Sequence, residues 1–493
     1  MTKKAIIQIS DETNCKILGL DLSERKVLMK KFEFMVPGAR YLPSVRLGRW
    51  NGKTSFFSLG GTTYINLLPD IIPIIDAAGY EIELVDTRDY PTTFEFDHVT
   101  PETLKHKTWP KGHPAEGQPI VLRDYQIEVI NNYLSTSQSV QQVATAAGKT
   151  ICTAVLSLSV EPYGRSIVIV PNVNLVTQTE QDYINLGLDV GVYYGGRKEH
   201  GKKHTICTWQ SLNILLKRLK DPEFTESMDE FFFDDVVCVI VDEVHMAKAD
   251  VLKSMLTGVM SKIPIRWGLT GTIPKEPMDV TSLLVSIGPV TNYLSAVTLQ
   301  DLGVLSKCHV NILQLQDNVD YRDYQTELKF LVSDDKRLTV IAKLIHDANT
   351  SGNTLVLIDR IEAGTLLTEK INEITPDIAV FVSGGTKNAT RTEHYEEVAT
   401  SSNKIILATY GVAAVGINIP RLFNVVLMEP GKSFVRTIQS IGRGLRKAPD
   451  KSFVQITDIT SNCRFSKRHL TQRKAFYKEA EYPFQVSKVN YSR

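Results

Sequence analysis

Apolar and polar positions alternate in the first hundred residues and change rhythm after them. Ala5-Ile6-Ile7-Gln8-Ile9 and Tyr80-Glu81-Ile82-Glu83-Leu84-Val85 run close to the period of two that marks half-buried strands. Pro69 to Gly79 is apolar at helical spacing and ends in a glycine, which predicts a helix with a stop signal. Residues 1–100 therefore predict a small α+β unit. The polar stretch 101–119, with Pro101, Pro110, Pro114 and Pro119, predicts a linker.

Beyond it, short continuous β-branched runs separate helical patterns: Ser166–Val170, Val236–Val241, Thr354–Ile358, Lys404–Ala408 and Val425–Met428. Apolar strands alternating with helices predict parallel sheets covered on both faces. The runs fall into two sets, so two α/β domains in tandem are expected, 120–298 and 299–455, followed by a basic tail, 456–493.

Composition adds boundaries. A chain of 493 residues exceeds one core, and 43% hydrophobic with 23% charged residues is ordinary for a soluble globular protein. Six cysteines without a CxxC pair argue against a zinc site or disulfide framework and fit a reducing cytoplasm. No apolar run approaches the roughly 18 residues of a membrane span, and the start reads as no signal peptide. A net charge of +1 does not mark a nucleic-acid binder, but local charge does. Arg25 to Lys53 holds eight Lys/Arg against one acid, Glu33, and Arg464 to Lys478 holds six and no acid.

The candidate chemistry lies in two segments. Val143-Ala144-Thr145-Ala146-Ala147-Gly148-Lys149-Thr150 precedes a helical pattern and reads as a phosphate-binding loop. Backbone N–H groups of residues 145–150 would cradle phosphates, Lys149 would meet the β- and γ-phosphates, and the Thr150 hydroxyl would hold Mg²⁺. The fit is imperfect, since Val143 and Ala146 stand where glycines are usual. The strand Val236–Val241 runs into Asp242-Glu243-Val244-His245. Acids at the carboxyl end of such a strand sit where α/β sheets bind ligands. Asp242 is placed for Mg²⁺ and Glu243 to polarise the attacking water, and adjacent buried carboxylates have no inexpensive structural role.

Asp-Glu-x-His about ninety residues after a Gly-Lys-Thr loop resembles the DExH helicases of superfamily 2. Other motifs of that family follow in order. Leu122-Arg123-Asp124-Tyr125-Gln126 resembles the adenine-contacting segment, with Arg123 and Gln126 at the nucleotide. Pro171-Asn172 through Gln178, and Thr208-Trp209-Gln210, resemble the segments that grip nucleic acid in the first domain. Gly268-Leu269-Thr270-Gly271-Thr272 resembles motif III. In the second domain, Asp359-Arg360, Gly384 within Phe381–Lys387, and Thr409-Tyr410-Gly411 occupy nucleic-acid-contacting motifs. Gln439-Ser440-Ile441-Gly442-Arg443-Gly444-Leu445-Arg446 is similar to motif VI. The resemblance implies two RecA-like domains facing across an ATP cleft, with His245 and Gln439 in the catalytic set and Arg443 and Arg446 as arginine fingers.

Arg40-Tyr41-x-Pro43-x-x-Arg46-x-Gly48-Arg49-Trp50-Asn51-Gly52-Lys53 resembles the N-terminal domain of the phage UvsW helicases. The residues allow contact with DNA: Arg40, Arg46, Arg49 and Lys53 suit phosphates, and Asn51-Gly52 would form a tight hairpin turn. Tyr41 and Trp50 either offer stacking faces or belong to the core of a small domain. The family acts in recombination, replication and repair. The resemblance implies an ATP- and Mg²⁺-dependent 3′-to-5′ motor that migrates junctions, regresses forks and unwinds R-loops. The expected partners are branched and single-stranded DNA, with RNA–DNA hybrids in reach. A monomer in the host cytoplasm, away from membranes, is expected. An RNA helicase and a non-hydrolysing nucleic-acid clamp remain as alternatives. The intact set Lys149, Asp242, Glu243, Gln439, Arg443 and Arg446 speaks against the clamp.

Overall fold

Alternation in the first strand decides which face it buries. In β1 (Lys3–Ile9), Ala5, Ile7 and Ile9 turn inward while Lys4 and Gln8 face solvent. β2 (Asn14–Leu18) pairs antiparallel with it. The chain continues through α1 (Leu22–Lys31), β3 (Glu33–Met35), α2 (Pro43–Arg46), β4 (Lys53–Ser55), β5 (Thr62–Tyr64), α3 (Leu68–Ala77) and β6 (Tyr80–Asp86). The four-stranded sheet runs β5-β2-β1-β6, with β6 parallel to β1, while β3 and β4 form a separate antiparallel pair. The two expected strands and the expected helix of this lobe are all present.

The computed structural model describes residues 3–88, 93–111, 115–219, 232–244, 249–412, 419 and 421–491, without the side chains at 388, 389, 434–436, 439 and 443. It divides into two units, Met1–Gln142 with Gly148–Tyr293, and Leu294–Arg493 with Val143–Ala147.

Within the first unit the N-terminal lobe is fused to the α/β part. Its core of Ile7, Ile17, Phe56, Phe57 and Ile71 continues into Met278 and Val285. Polar contacts edge this seam: Glu12 N donates to Ser261 O at 2.9 Å, Asn14 Nδ2 to Thr257 O at 2.8 Å, and Asn66 Nδ2 to Gln138 Oε1 at 2.8 Å. The proline-bearing stretch 101–119 is also fastened. Trp109 N donates to Gln118 O at 3.0 Å and Ile120 N to Lys107 O at 2.9 Å, over a buried Leu104.

The α/β part holds α4 (Asp124–Leu134), β7 (Gln138–Val143), α5 (Lys149–Val160), β8 (Arg165–Val170), α6 (Val173–Asn185), β9 (Val190–Tyr194), β10 (Arg197–Lys198) and β11 (His204–Thr208). It continues with α7 (Trp209–Arg218), β12 (Val236–Asp242), α8 (Ala249–Leu256), β13 (Ile265–Thr270), α9 (Pro277–Ser286) and β14 (Val290–Leu294). The sheet order is β10-β9-β11-β8-β12-β13-β7-β14. The pairings from β9 through β7 are parallel. Every residue of β13 is buried and β8 and β12 nearly so, which explains their lack of alternation.

The second unit holds α10 (Ala296–Asp301), β15 (Lys307–Leu315), α11 (Tyr324–Ser333), α12 (Asp335–Ala348), β16 (Thr354–Ile358), α13 (Ile361–Ile374), β17 (Ala379–Val382) and α14 (Asn388–Thr400). β18 (Ile405–Thr409), β19 (Asn424–Met428), α15 (Phe434–Gly444), β20 (Phe453–Ser461), α16 (Arg464–Glu479) and β21 (Phe484–Val489) follow. Its seven strands are ordered β17-β18-β16-β19-β20-β15-β21, all parallel. The fold is mixed α/β with two parallel sheets.

One expectation needs correction here. Residues 456–493 are not a tail appended to a finished domain. β20 pairs with β15 and β19, β21 extends the sheet beyond β15, and Arg473 of the basic stretch is buried against Asp458 at 2.8 Å. A cationic run read as surface therefore includes a core residue.

Candidate active site

β7 delivers the chain to the phosphate loop, and the backbone there is contorted. Ala146 has φ 70 and Gly148 φ 82, both left-handed. That conformation costs a residue with a Cβ about 1 kcal/mol, which is why glycine is usual at the Ala146 position. At Gly148 a side chain is excluded twice over, because a Cβ would lie 2.7 Å from Gln126 Nε2. Gln126 is buried and its Oε1 accepts from Arg123 N at 3.0 Å, closing the N-terminus of α4. The adenine-segment residue thus touches the phosphate loop, while the Arg123 side chain is exposed and donates to Tyr125 OH at 3.0 Å.

α5 starts at Lys149, so its first-turn N–H groups, which lack helical acceptors, open on the loop. Cys152 lies in that turn, yet burial pushes its thiol up to about 12, so it is no nucleophile.

β12 carries the acids to the same place. Glu243 has φ 51 and its N–H donates to Asp242 Oδ1 at 2.9 Å. Glu243 Oε1 accepts from Lys149 Nζ at 2.6 Å, and Glu243 Oε2 accepts from Gly271 N at 3.3 Å. Both partners of the Lys149–Glu243 pair are nearly buried, at 10% and 13% exposure. The strained turn after β12 thus holds one carboxylate between the phosphate loop and the motif III backbone. The structure links Lys149, Asp242, Glu243 and Gly271 through hydrogen bonds, and sets Gln126 against Gly148, the residue before Lys149. His245 lies outside the described residues. The role of the Gly271 N–H was not legible in the sequence, because it is a backbone contact.

The nucleic-acid motifs of this unit share one sheet edge. Val170 and Thr208 end neighbouring strands in register. Asn172 Oδ1 caps α6 by accepting from Leu175 N at 3.1 Å, and Thr208 Oγ1 caps α7 by accepting from Ser211 N at 3.3 Å. Gln210 Nε2 donates to Pro171 O at 3.4 Å, tying the two turns together, and Gln178 is exposed on α6. Two helix N-termini side by side favour a phosphate backbone.

The second unit repeats the pattern. Ile358 and Thr409 end paired strands, and Arg360, the N-cap residue of α13, follows the first with its side chain 53% exposed. Gly384 follows β17 in a turn that Arg391 Nη2 fastens by donating to Ser383 O and Thr386 O, both at 3.1 Å. A Cβ at Gly384 or Gly411 would meet nothing within 4 Å, so both backbones are open to an approaching strand. In motif VI the side chains of Gln439 and Arg443 lie outside the described ones.

Arg446 follows α15 in a segment held by contacts the sequence concealed. Lys451 Nζ donates to Gly444 O at 2.5 Å and to Arg446 O at 2.8 Å, and Ser306 N donates to Leu445 O at 2.8 Å. Arg473 Nη1 donates to Gly431 O at 2.8 Å in the turn between β19 and α15. At the end of β19, Arg337 Nη2 donates to buried Glu429 Oε1 at 2.6 Å, and burial pushes Glu429 up to about 7. The partners of Ser306, Arg337 and Arg473 stand far apart from them in the chain, so no local pattern announces them.

In the segment Arg40 to Lys53 the expected hairpin turn is not found. Asn51-Gly52 is not a two-residue hairpin, since residues 36–52 separate β3 from β4. Asn51 Oδ1 instead accepts from Lys53 N at 3.0 Å and turns the chain into β4. Trp50 is half-buried, with Nε1 donating to Lys53 O at 2.9 Å. Lys53 is paired with Glu33 at 2.8 Å, whereas Arg40, Arg46 and Arg49 are exposed or half-buried at the surface.

Known proteins share this arrangement. Residues 119–275 match the family model of the type III restriction enzyme res subunit, and residues 336–448 that of the helicase conserved C-terminal domain. The chain belongs to the superfamily 2 helicases. As a helicase it hydrolyses ATP and acts on nucleic acid. It is 24% identical over 467 residues to the ATP-dependent DNA helicase uvsW of Enterobacteria phage T4, covering 90% of this chain and 88% of that protein. A helicase of Sulfolobus islandicus filamentous virus is 27% identical over 366 residues, 69% of this chain and 64% of that protein. Among solved structures, the type ISP restriction-modification enzyme LlaBIII bound to DNA superposes with TM-score 0.55 at 15% identity, over 85% of this helicase and 34% of that chain. That likeness is one of fold. Among the described residues no helix is long and apolar enough to cross a membrane.

Proposed function

We propose that this helicase is a DNA motor for branched substrates, translocating 3′ to 5′ to migrate junctions, regress forks and unwind R-loops in recombination, replication and repair. The observation that carries the reading is the similarity to the phage DNA helicase across 90% of the chain. In this reading the first-turn N–H groups of α5 and Lys149 hold the ATP phosphates, and Gln126 and Arg123 face the adenine. The hydroxyl of Thr150 and the carboxylate of Asp242 are hard oxygen donors of the kind Mg²⁺ takes, and the ion would offset phosphate charge when bound. Glu243 orients and deprotonates the attacking water, and Arg443 and Arg446 compensate charge on the transferred phosphoryl. Lys149 Nζ donates to Glu243 at 2.6 Å, so an incoming phosphate would compete with that carboxylate for the ammonium. Pro171, Asn172, Gln178, Thr208 and Gln210 in one domain, and Arg360, Gly384, Thr409 and Gly411 in the other, hold the tracked strand. The protein works as a monomer in the host cytoplasm.

Strand displacement tests the reading. Partial duplexes with a 3′ or a 5′ tail, and a mobile four-way junction, should show ATP-dependent unwinding only from the 3′ tail, and junction dissociation. Equal rates on RNA duplexes would favour an RNA helicase, and no displacement of any substrate would refute the proposal.

A further inference from the structure

Between β3 and β4 the chain builds a tip from two short helical turns, Ala39–Tyr41 and Pro43–Arg46. The tip is ordered from within. Val36 N donates to Gly52 O at 2.8 Å, Arg49 N and Trp50 N donate to Ser44 O at 2.9 and 3.2 Å, and Ala39 is buried. A Cβ at Gly52 would come within 3.0 Å of Met35 Sδ and 3.1 Å of Ala39 Cβ, so the turn closes tightly on its own side chains. The outer surface is unusual for a tip whose interior is satisfied. Tyr41 is 70% exposed, Leu47 65%, Met35 55% and Leu42 44%. Apolar side chains grouped in this way mark an interaction surface. The Arg40 guanidinium stands 5.0 Å from the Tyr41 ring centroid and braces that ring. Among the described residues, Arg40, Arg46 and Arg49 have no acid within ion-pair distance, while Glu33, the one acid from Arg25 to Lys53, is taken by Lys53.

We infer that this tip is a stacking contact for the bases laid open at a DNA branch point, with Tyr41 and Leu47 as its apolar face and Arg40, Arg46 and Arg49 on the flanking phosphates. The inference rests on the DNA reading above and places the stacking on exposed Tyr41 rather than on half-buried Trp50. Charge selects the occupant. Three guanidiniums without counterions on one short segment, one of them beside an exposed aromatic ring, suit an anion that also offers flat apolar faces, and nucleic acid supplies both. A continuous duplex hides its base faces, whereas a fork or junction exposes them where strands part. The tip therefore discriminates structure rather than sequence.

The test is affinity of the full chain for a forked DNA and for a blunt duplex of equal length, measured across salt concentrations. Tyr41→Ala and Leu47→Ala are compared with Arg46→Ala and Arg49→Ala, and each variant is checked for an unchanged melting temperature. Tyr41→Ala should weaken binding to the fork by about 5- to 150-fold, the effect of one lost base stack, with no change in salt slope. Each arginine variant should flatten the slope of log K against log salt by roughly 0.7–0.9. A 2-aminopurine placed at the branch should change fluorescence on binding wild type and not on binding Tyr41→Ala. Folded Tyr41 and Leu47 variants that bind the fork within about twofold of wild type would overturn the inference and leave the DNA reading standing. A wild-type chain that binds no fork would overturn both. Should Tyr41→Ala melt early, Tyr41→Phe and Tyr41→Leu decide: Phe should retain fork binding and Leu should lose it, and equal binding by the two overturns the inference.

Discussion

Lys149 and Glu243 hold each other at 2.6 Å, joining the start of α5 to the end of β12. The cation meant for phosphate thus neutralises the carboxylate meant for water. If the site binds ATP as proposed, its phosphates would compete with Glu243 for the Lys149 ammonium. Lys149→Ala should abolish hydrolysis. Glu243→Gln should abolish turnover while ATP binds at least as tightly as in wild type, because Lys149 no longer has a competing anion. Fluorescent-nucleotide titration and phosphate release on both variants check this, and weaker ATP binding by Glu243→Gln would contradict it.

Motif VI makes a second prediction. Arg443→Ala and Arg446→Ala should each lower kcat by at least about a hundredfold, the scale of lost transition-state charge compensation. Circular dichroism should show both folded. Steady-state kinetics within about twofold of wild type in both would mean that these arginines do not serve the reaction.

Lys451 gives a prediction in pH. Burial and the nearby Arg446 charge push its ammonium down to about 7 from an ordinary 10.5, while it donates to the carbonyls of Gly444 and Arg446. Below about pH 7 both folded and unfolded chains hold the proton, so the burial penalty on its charge is felt in full. As pH rises from 7 towards 10.5 the folded state sheds the proton first, and stability contributed by this residue increases. Wild type should therefore gain stability relative to Lys451→Met between pH 7 and 10, measured by urea denaturation. A constant or falling stability of wild type relative to the variant would contradict the burial of this charge.

The fused lobe carries a fourth prediction. Residues 1–100 contain none of the side chains assigned to ATP, so from the sequence their removal should spare the ATP site. The structure adds a cost, because Met278 and Val285 of α9 lie in the lobe's core. A chain starting at Thr100 should melt lower and aggregate, whereas Met278→Ser and Val285→Ser in that chain should restore solubility. Light scattering and thermal melting of the truncated forms check this.

Legibility followed locality. Strands such as Val236–Val241 and Thr354–Ile358 were readable because a buried parallel strand is a continuous apolar run, and the phosphate loop because its residues are consecutive. The Gly271 N–H on Glu243 and the Arg473–Asp458 pair were not, since each joins separate segments through geometry. Arg473 shows the hazard most clearly, a buried cation inside a run whose composition reads as solvated surface. Trp50 shows another: sequence left stacking and burial both open, and the structure half-buries it with its indole N–H on Lys53 O.

The central claim is a nucleic-acid-driven motor that prefers branched DNA, and ATP turnover reads it most directly. Phosphate release should be measured at saturating ATP and Mg²⁺ with equal-length single-stranded DNA, duplex DNA, forked DNA, a four-way junction and RNA. The account predicts strong stimulation by the fork and the junction, less by blunt duplex and least by RNA, all lost in Glu243→Gln. Turnover that no DNA stimulates, or that RNA stimulates best, would contradict it.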